Sequence, residues 1–182
     1  MKENVMNYLK KSLWVVIFLF ALRCVIKLPE TPYEWVGYAS KAISLGLIVM
    51  AVYENVLWRW NPFEKTPKIF GEYSAKLEYE SNTGFQKKKI KIIIKQSLLN
   101  TSIKIITNEI TSNSITSNFV YENGEYVLYY TYITNPRSRY SANNPIQYGT
   151  CRMTIQSDGL LVGNYWTTRK TKGDITFKEK LK

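Results

Sequence analysis

The chain has 182 residues, 45% of them hydrophobic, and 25 Lys/Arg against 14 Asp/Glu give a formal charge of +11. That length holds one ordinary domain and a short appendage, and excludes two domains of normal size. Histidine is absent, which excludes Ser-His-Asp and Cys-His catalysis, histidine-based zinc sites and a histidine general base, so a binding protein rather than an enzyme is expected.

In chain order, the basic opening MKENVMNYLKK leads into the apolar run SLWVVIFLFALRCVI, Ser12 to Ile26. After KLPETPYE comes a second run, Trp35 to Trp58. A membrane span needs about 20 mostly apolar residues. The second run has that length, and the first reaches it over Tyr8 to Leu28 with Lys10, Lys11 and Lys27 snorkelling at its ends. The expectation is therefore a membrane α-hairpin of two transmembrane helices over residues 1–60, with a tight proline-marked turn. Trp14, Tyr33, Trp35, Trp58 and Trp60 fall at the expected interfaces, where amphipathic rings sit. A cleaved signal peptide fits poorly, because the run lacks a small-x-small site. A lipoprotein signal ending at Cys24 fits no better, since Arg23 precedes the cysteine. Lys2, Lys10 and Lys11 before the first span, Lys27 in the turn, and Arg59, Lys65 and Lys68 after the second place both ends of this multi-pass segment in the cytoplasm. Arg23, Lys41 and Glu54 are polar residues within or near the spans; intramembrane charge marks function by default, and snorkelling from helix ends is the plainer explanation. Ser40/Ser44 and Ala42/Gly46 stand at the small-xxx-small spacing that permits close helix packing.

NPFEKTPK, residues 61–68, is a linker, with Pro62 and Pro67 ending the helical pattern. From residue 69 to 182 the period is two. Strand signals run over Ile69–Glu80, Lys87–Gln96, Thr101–Glu109, Ser114–Tyr121, Tyr126–Thr134, Ile146–Gln156, Leu160–Arg169 and Ile175–Glu179. Turn chemistry joins them at Ser81 (SNTG), Glu122 (ENGE), Ser157 (SDG) and Lys172 (KGD), with Asn123-Gly124 and Asp158-Gly159 as the strongest hairpin signals. Eight short antiparallel strands predict a small closed β-barrel, with a sandwich as the alternative. The long connection Asn135 to Pro145, NPRSRYSANNP, is basic and aromatic, and is either a lid over a barrel mouth or a plain loop.

Residues 1–68 hold nine Lys/Arg and five Asp/Glu, leaving sixteen and nine for 69–182. Both parts are basic, which fits an anionic partner such as phospholipid headgroups, nucleic acid or a phosphate-bearing small molecule, or serves solubility alone. Two cysteines, Cys24 and Cys151, form no disulfide framework or metal pair, and a reducing compartment fits. No P-loop, GxGxxG, HExxH or nucleophile elbow occurs. Asp158 and Asp174 read as turn formers. In KKKIKIIIK, Ile90, Ile92 and Ile94 share one face and Lys89, Lys91 and Lys95 the other, a solvated row or a contact for anionic membrane or nucleic acid. No RNA-recognition or helix-turn-helix signature supports a long nucleic acid as partner.

The stretch LVGNYWTTRKTKGDITF is the most informative. Leu161, Gly163, Tyr165, Thr167 and Arg169 share one face; Leu160, Val162, Asn164, Trp166 and Thr168 share the other. Periodicity does not choose the inner one. If the Tyr165 face points inward, an interior arginine beside a hydroxyl and a ring calls for an anionic, stackable ligand, with Arg152 on the preceding strand as a second phosphate contact. Otherwise Trp166 fills the core and Arg169 faces water.

The hairpin, the proline-bearing linker, KIFGEY at the first strand and the spaced pattern Leu161-x-Gly163-x-Tyr165-x-Thr167-x-Arg169-x-Thr171-x-Gly173-x-Ile175 together resemble the two-transmembrane, β-strand-rich effectors of bacterial CBASS antiphage defence, over essentially the whole chain. GEY is also similar to the first-strand signature of lipocalin-like barrels. The resemblance implies an eight-stranded barrel in the cytoplasm that binds a cyclic dinucleotide from a partner CD-NTase. It further implies location in the cell inner membrane, ligand-induced self-association and disruption of that membrane, with no cofactor. Tyr73, Tyr165, Thr167, Arg169 and Thr171 match the pattern and are the ligand-side candidates it implies. The rival is a membrane-anchored, lipocalin-like carrier of an apolar ligand.

Overall fold

The computed structural model describes residues 2–81, 84–142 and 144–181. The chain divides into two compact units, Met1–Lys65 with Ser97–Leu99, and Thr66–Gln96 with Asn100–Lys182.

The first unit is a helix pair, α1 (Lys2–Ile26) and α2 (Pro32–Asn55), followed by a single 3-10 turn at Leu57–Arg59. α2 starts sharply because its first turn satisfies its own donors: Thr31 accepts from the Glu34 amide, the Glu34 carboxylate accepts from the Glu30 amide, and Pro32 needs no partner for its nitrogen. The buried stripe of α2 is Tyr38, Ala42, Gly46 and Met50, spaced by four. A Cβ on Gly46 would come within 2.6 Å of Val16 Cγ2, so this glycine lets the helices close on each other. Of the two expected small pairs, Ala42/Gly46 makes this contact. Ser40 and Ser44 are exposed and give their hydroxyl protons back to Val36 and Ser40 carbonyls of their own helix.

Among the described residues one helix, Pro32–Asn55, is long and apolar enough to cross a membrane. α1 is as long but carries Lys2, Glu3, Lys10, Lys11 and Arg23. Arg23 lies over the Tyr38 ring at 4.9 Å, Lys41 is exposed, and the Glu54 carboxylate accepts from Ser97 Oγ. The first half of the expected linker folds onto the helices: Glu64 accepts from Lys11 Nζ at 2.8 Å and from the Tyr53 hydroxyl, to which Asn61 donates.

The second unit is a closed antiparallel barrel of β1 (Gly71–Ser81), β2 (Gly84–Gln96), β3 (Thr101–Ile106), β4 (Ile110–Glu122), β5 (Glu125–Pro136), β6 (Gln147–Ile155), β7 (Leu161–Thr167) and β8 (Lys172–Leu181), each paired with the next and β8 with β1. All eight strands fall on their sequence signals, and the barrel rather than the sandwich is the architecture. Closure leaves no edge strand, and alternation then fixes what goes inside. Ile90, Ile92 and Ile94 are buried at 4%, 1% and 3%, with Tyr73, Leu128, Met153, Leu161, Ile175 and Phe177, while Lys89, Lys91 and Lys95 of β2 line the outer wall.

Turn chemistry holds at Asn123-Gly124, where φ is 50° and 88° as a type I′ turn requires. At Asp158-Gly159 only Gly159 has positive φ, 80°. The Gly159 amide donates to Gln156 and the Asp158 carboxylate caps the Leu160 amide, so the turn is wider than the expected I′ form. The KGD triplet is not a turn. Lys172 to Asp174 pair with β7, and the reversal lies at 168–171 with Lys170 at φ 61°. The expected turn at Ser81 falls on residues 82–83, outside the described residues. In the long β5–β6 connection, Asn135 and Pro136 belong to β5, and Ser138–Tyr140 form a 3-10 turn.

Candidate ligand-binding site

The two ends of the barrel differ. At one end the chain enters from Pro67 and Ile69, held by the buried Gln96 side chain, which accepts from the Ile69 amide and donates to the Pro67 carbonyl. The opposite end carries the β3–β4 turn, the β5–β6 loop and the β7–β8 turn. Those segments bear Arg137, Arg139, Arg169 and Lys170, and their acid, Glu109, is already bonded to Lys88 at 2.7 Å. One mouth is therefore cationic.

β7 answers which face points inward. Leu161 is fully buried and Tyr165 is 9% exposed, whereas Trp166 is 46% exposed on the outer wall. The spaced pattern through this region is a hairpin read from both sides. Gly163 pairs with Ile175 and Tyr165 with Gly173. Thr167 meets Thr171 through a 2.6 Å contact of their hydroxyls, and the Thr167 amide donates to the Thr171 carbonyl. Arg169 stands at the tip. The strict period of two suggests one strand running on through Arg169; the chain instead turns about that residue, so Arg169 and Thr171 are exposed at the mouth rather than inside the wall.

Glycines shape the interior below that tip. A Cβ on Gly173 would lie 2.7 Å from Tyr165 Cε1, and one on Gly149 would lie 2.3 Å from Tyr132 Cζ, so each tyrosine lays its ring across the glycine opposite it. Tyr79 pairs with Gly173 from the other side. The Tyr130 and Tyr132 rings lie 6.0 Å apart, tilted at 50° to each other, and Tyr130 pairs with Cys151, which pairs in turn with Tyr165. Burial raises the pKa of Tyr130 and Tyr132 well above the ordinary phenol value and pushes Tyr165 and the Cys151 thiol up to about 12. These groups stay neutral at physiological pH. The hydroxyls of Tyr79, Tyr132 and Tyr165 make no hydrogen bond among the described residues. Thr134 and Gln147, both buried, line the same half of the barrel and bond each other through the Gln147 amide and Thr134 Oγ1.

The sequence-derived candidates therefore separate. Tyr165, Thr167, Arg169 and Thr171 share the β7–β8 hairpin at the cationic mouth. Tyr73 points inward but belongs to the entry end: its hydroxyl donates to the Ile69 carbonyl at 2.9 Å and its ring packs 5.0 Å from Phe177. Tyr79 lies six positions further along β1, roughly 20 Å along a strand. Arg152 is not beside Tyr165. Cys151 is the β6 residue that pairs with Tyr165, so its neighbour Arg152 points outward, where its guanidinium reaches Glu122 at 3.2 Å and the Tyr129 hydroxyl at 3.0 Å. There it lines a groove of about 900 Å³ on the outer wall. Sequence reasoning missed Tyr79, Tyr130, Tyr132, Gly149 and Gln147. The alternation in YYTYIT already sets Tyr130, Tyr132 and Thr134 on one face, but only register shows that Gly149 lies opposite Tyr132.

A family model described as "Cap15, cyclic dinucleotide receptor domain" matches residues 64–179. The CD-NTase-associated protein 15 of Staphylococcus schleiferi is 34% identical over 183 residues, covering 98% of this chain and 99% of that protein.

Proposed function

The chain belongs to the Cap15 family of CBASS effectors and carries its cyclic dinucleotide receptor domain, and on that premise we propose that the cationic mouth and the tyrosine-lined half of the barrel form the nucleotide site. The observation that carries this reading is the set of three inward tyrosines with uncommitted hydroxyls beneath a hairpin whose tip is Arg169. Phenol rings stack on bases and donate to their edges, while a guanidinium at the rim matches a phosphodiester. Thr167 and Thr171 hold that tip in place. The site binds and does not catalyse.

Binding promotes self-association, and the helix pairs brought together breach the inner membrane from a barrel held in the cytoplasm. Support for a membrane role comes from the helix surfaces facing away from the pair, where Leu13, Phe18, Val36, Leu47 and Ile48 are each at least 60% exposed. Apolar surface of that extent suits lipid better than water.

The test is a thermal-shift panel of cyclic dinucleotides on the full chain in detergent. At least one member raises the melting temperature, and Arg169→Ala weakens its binding about 10- to 100-fold, the loss expected for one charge-assisted hydrogen bond. A panel without any shift, with lipid found in the barrel by native mass spectrometry, would instead establish the apolar-ligand carrier.

A further inference from the structure

The outer wall of the barrel is strongly polarised. On β2 and β3 the outward side chains include Lys87, Lys89, Lys91, Lys95 and Lys104, with no acid among them. Lys91 pairs with Glu72 at 2.6 Å and Lys87 stands 3.9 Å from Glu78. Lys89, Lys95 and Lys104 are exposed and make no ion pair among the described residues. Across the barrel, the groove of about 900 Å³ is centred on β6 and β7 and contains Glu78, Glu125, Asp158 and Asp174. Its cation, Arg152, is already matched by Glu122. Glu125 and Asp158 are exposed and unpaired by any cation among the described residues.

Strand order sets the relation between these surfaces. β2 and β6, like β3 and β7, are four strands apart whichever way the closed barrel is followed. The exposed lysines of β2 and β3 and the β6–β7 heart of the groove therefore lie on opposite sides of the barrel, the groove reaching round as far as Glu78 of β1, beside Lys87. Neither surface complements itself, so a two-fold dimer satisfies neither; each matches the other surface of a second copy.

We propose that barrels of this protein stack side by side, with the lysine wall of β2 and β3 of one copy seated in the β6–β7 groove of the next. Such a contact is heterologous and does not close after two subunits, so it extends as an open row or a large ring. Trp166, 46% exposed and two residues from Asn164 of the groove, offers the incoming lysines an aromatic face. The proposal rests on the self-association reading above and names its surface. Each added copy contributes one more helix pair to the same assembly, which links barrel contact to membrane action.

Charge reversal tests the stacking directly. The full chain, labelled at its C-terminus with donor or acceptor fluorophores, is reconstituted at fixed density in phosphatidylcholine vesicles and in vesicles that also contain phosphatidylglycerol, with and without cyclic di-AMP, di-GMP and di-UMP. Two variants are compared, a wall variant (Lys89→Glu, Lys95→Glu, Lys104→Glu) and a groove variant (Glu125→Lys, Asp158→Lys). Each alone loses energy transfer at least tenfold. An equal mixture, or all five changes in one chain, restores it, because every wall then meets a groove of opposite sign. Either variant assembling like the unaltered chain overturns the proposal, as does a mixture that fails to recover. Loss confined to vesicles containing phosphatidylglycerol would mean that the lysines serve lipid, and overturns it too. A thermal shift on the same samples separates the two readings. An intact shift with unaltered energy transfer strikes only this interface, and no shift in the unaltered chain strikes only the nucleotide site.

Discussion

Gly173 lies between Tyr79 of β1 and Tyr165 of β7, and its missing side chain is what lets the Tyr165 ring cross it. At this scale the interior is a group of phenols and one thiol kept neutral by burial, and that has a consequence at high pH. Tyr130, Tyr132, Tyr165 and Cys151 all have raised folded-state pKa values, with burial as the first cause in each case. In the unfolded chain the thiol ionises near 9 and the phenols near 10, so above those values the folded state holds the extra protons. Stability is then fully present below about pH 9 and falls as pH rises toward 12. Melting temperatures recorded from pH 7 to 11.5 should be flat and then fall from about pH 9 to 10 onward. A melting temperature that stays flat through pH 11.5 would show these groups to be no more protected than in the unfolded chain. That Tyr165 belongs with this group was only half legible. Alternation placed it on a face with Leu161 and Gly163, but which face is inner depends on the pairing of Tyr165 with Gly173 and Cys151.

Elements were more readable than their ends. Strand signals found all eight strands because β-branched and aromatic residues alternate there, but the β7–β8 region misled. Thr167, Arg169 and Thr171 keep the period of two through a turn, since residues symmetric about a hairpin tip also alternate in and out. In the helix pair, spacing alone put Ser40/Ser44 and Ala42/Gly46 on equal terms; packing distinguishes them. Gly46→Leu drives a side chain into Val16 and should lower the helical melting temperature by circular dichroism in detergent, whereas Ser44→Leu, on the exposed face, should change it little. Equal effects would mean that the helices do not pack through Gly46. The substitution removes no charge, so the difference reports packing.

At the scale of the whole molecule, a basic barrel tethered to an apolar helix pair is expected to couple ligand to membrane. Vesicles carrying the full chain and a trapped dye should leak when the stabilising cyclic dinucleotide is added, and Arg169→Ala vesicles should stay sealed at the same concentration. Tight vesicles in both cases, with nucleotide demonstrably bound, would sever the barrel from membrane damage. The sequence by itself determined the order of the chain, helices before strands, the strand count, and the exclusion of histidine chemistry, because these depend on composition and on periods of about 3.6 and two that are local in the chain. Tertiary structure alone decided that Tyr73 lies at the entry end and Tyr165 near the cationic mouth, that Arg152 faces outward, and that the lysine wall stands opposite an acidic groove. Register and closure govern these relations. They join residues tens of positions apart, and a shift of one residue would turn every side chain of a strand to the other face.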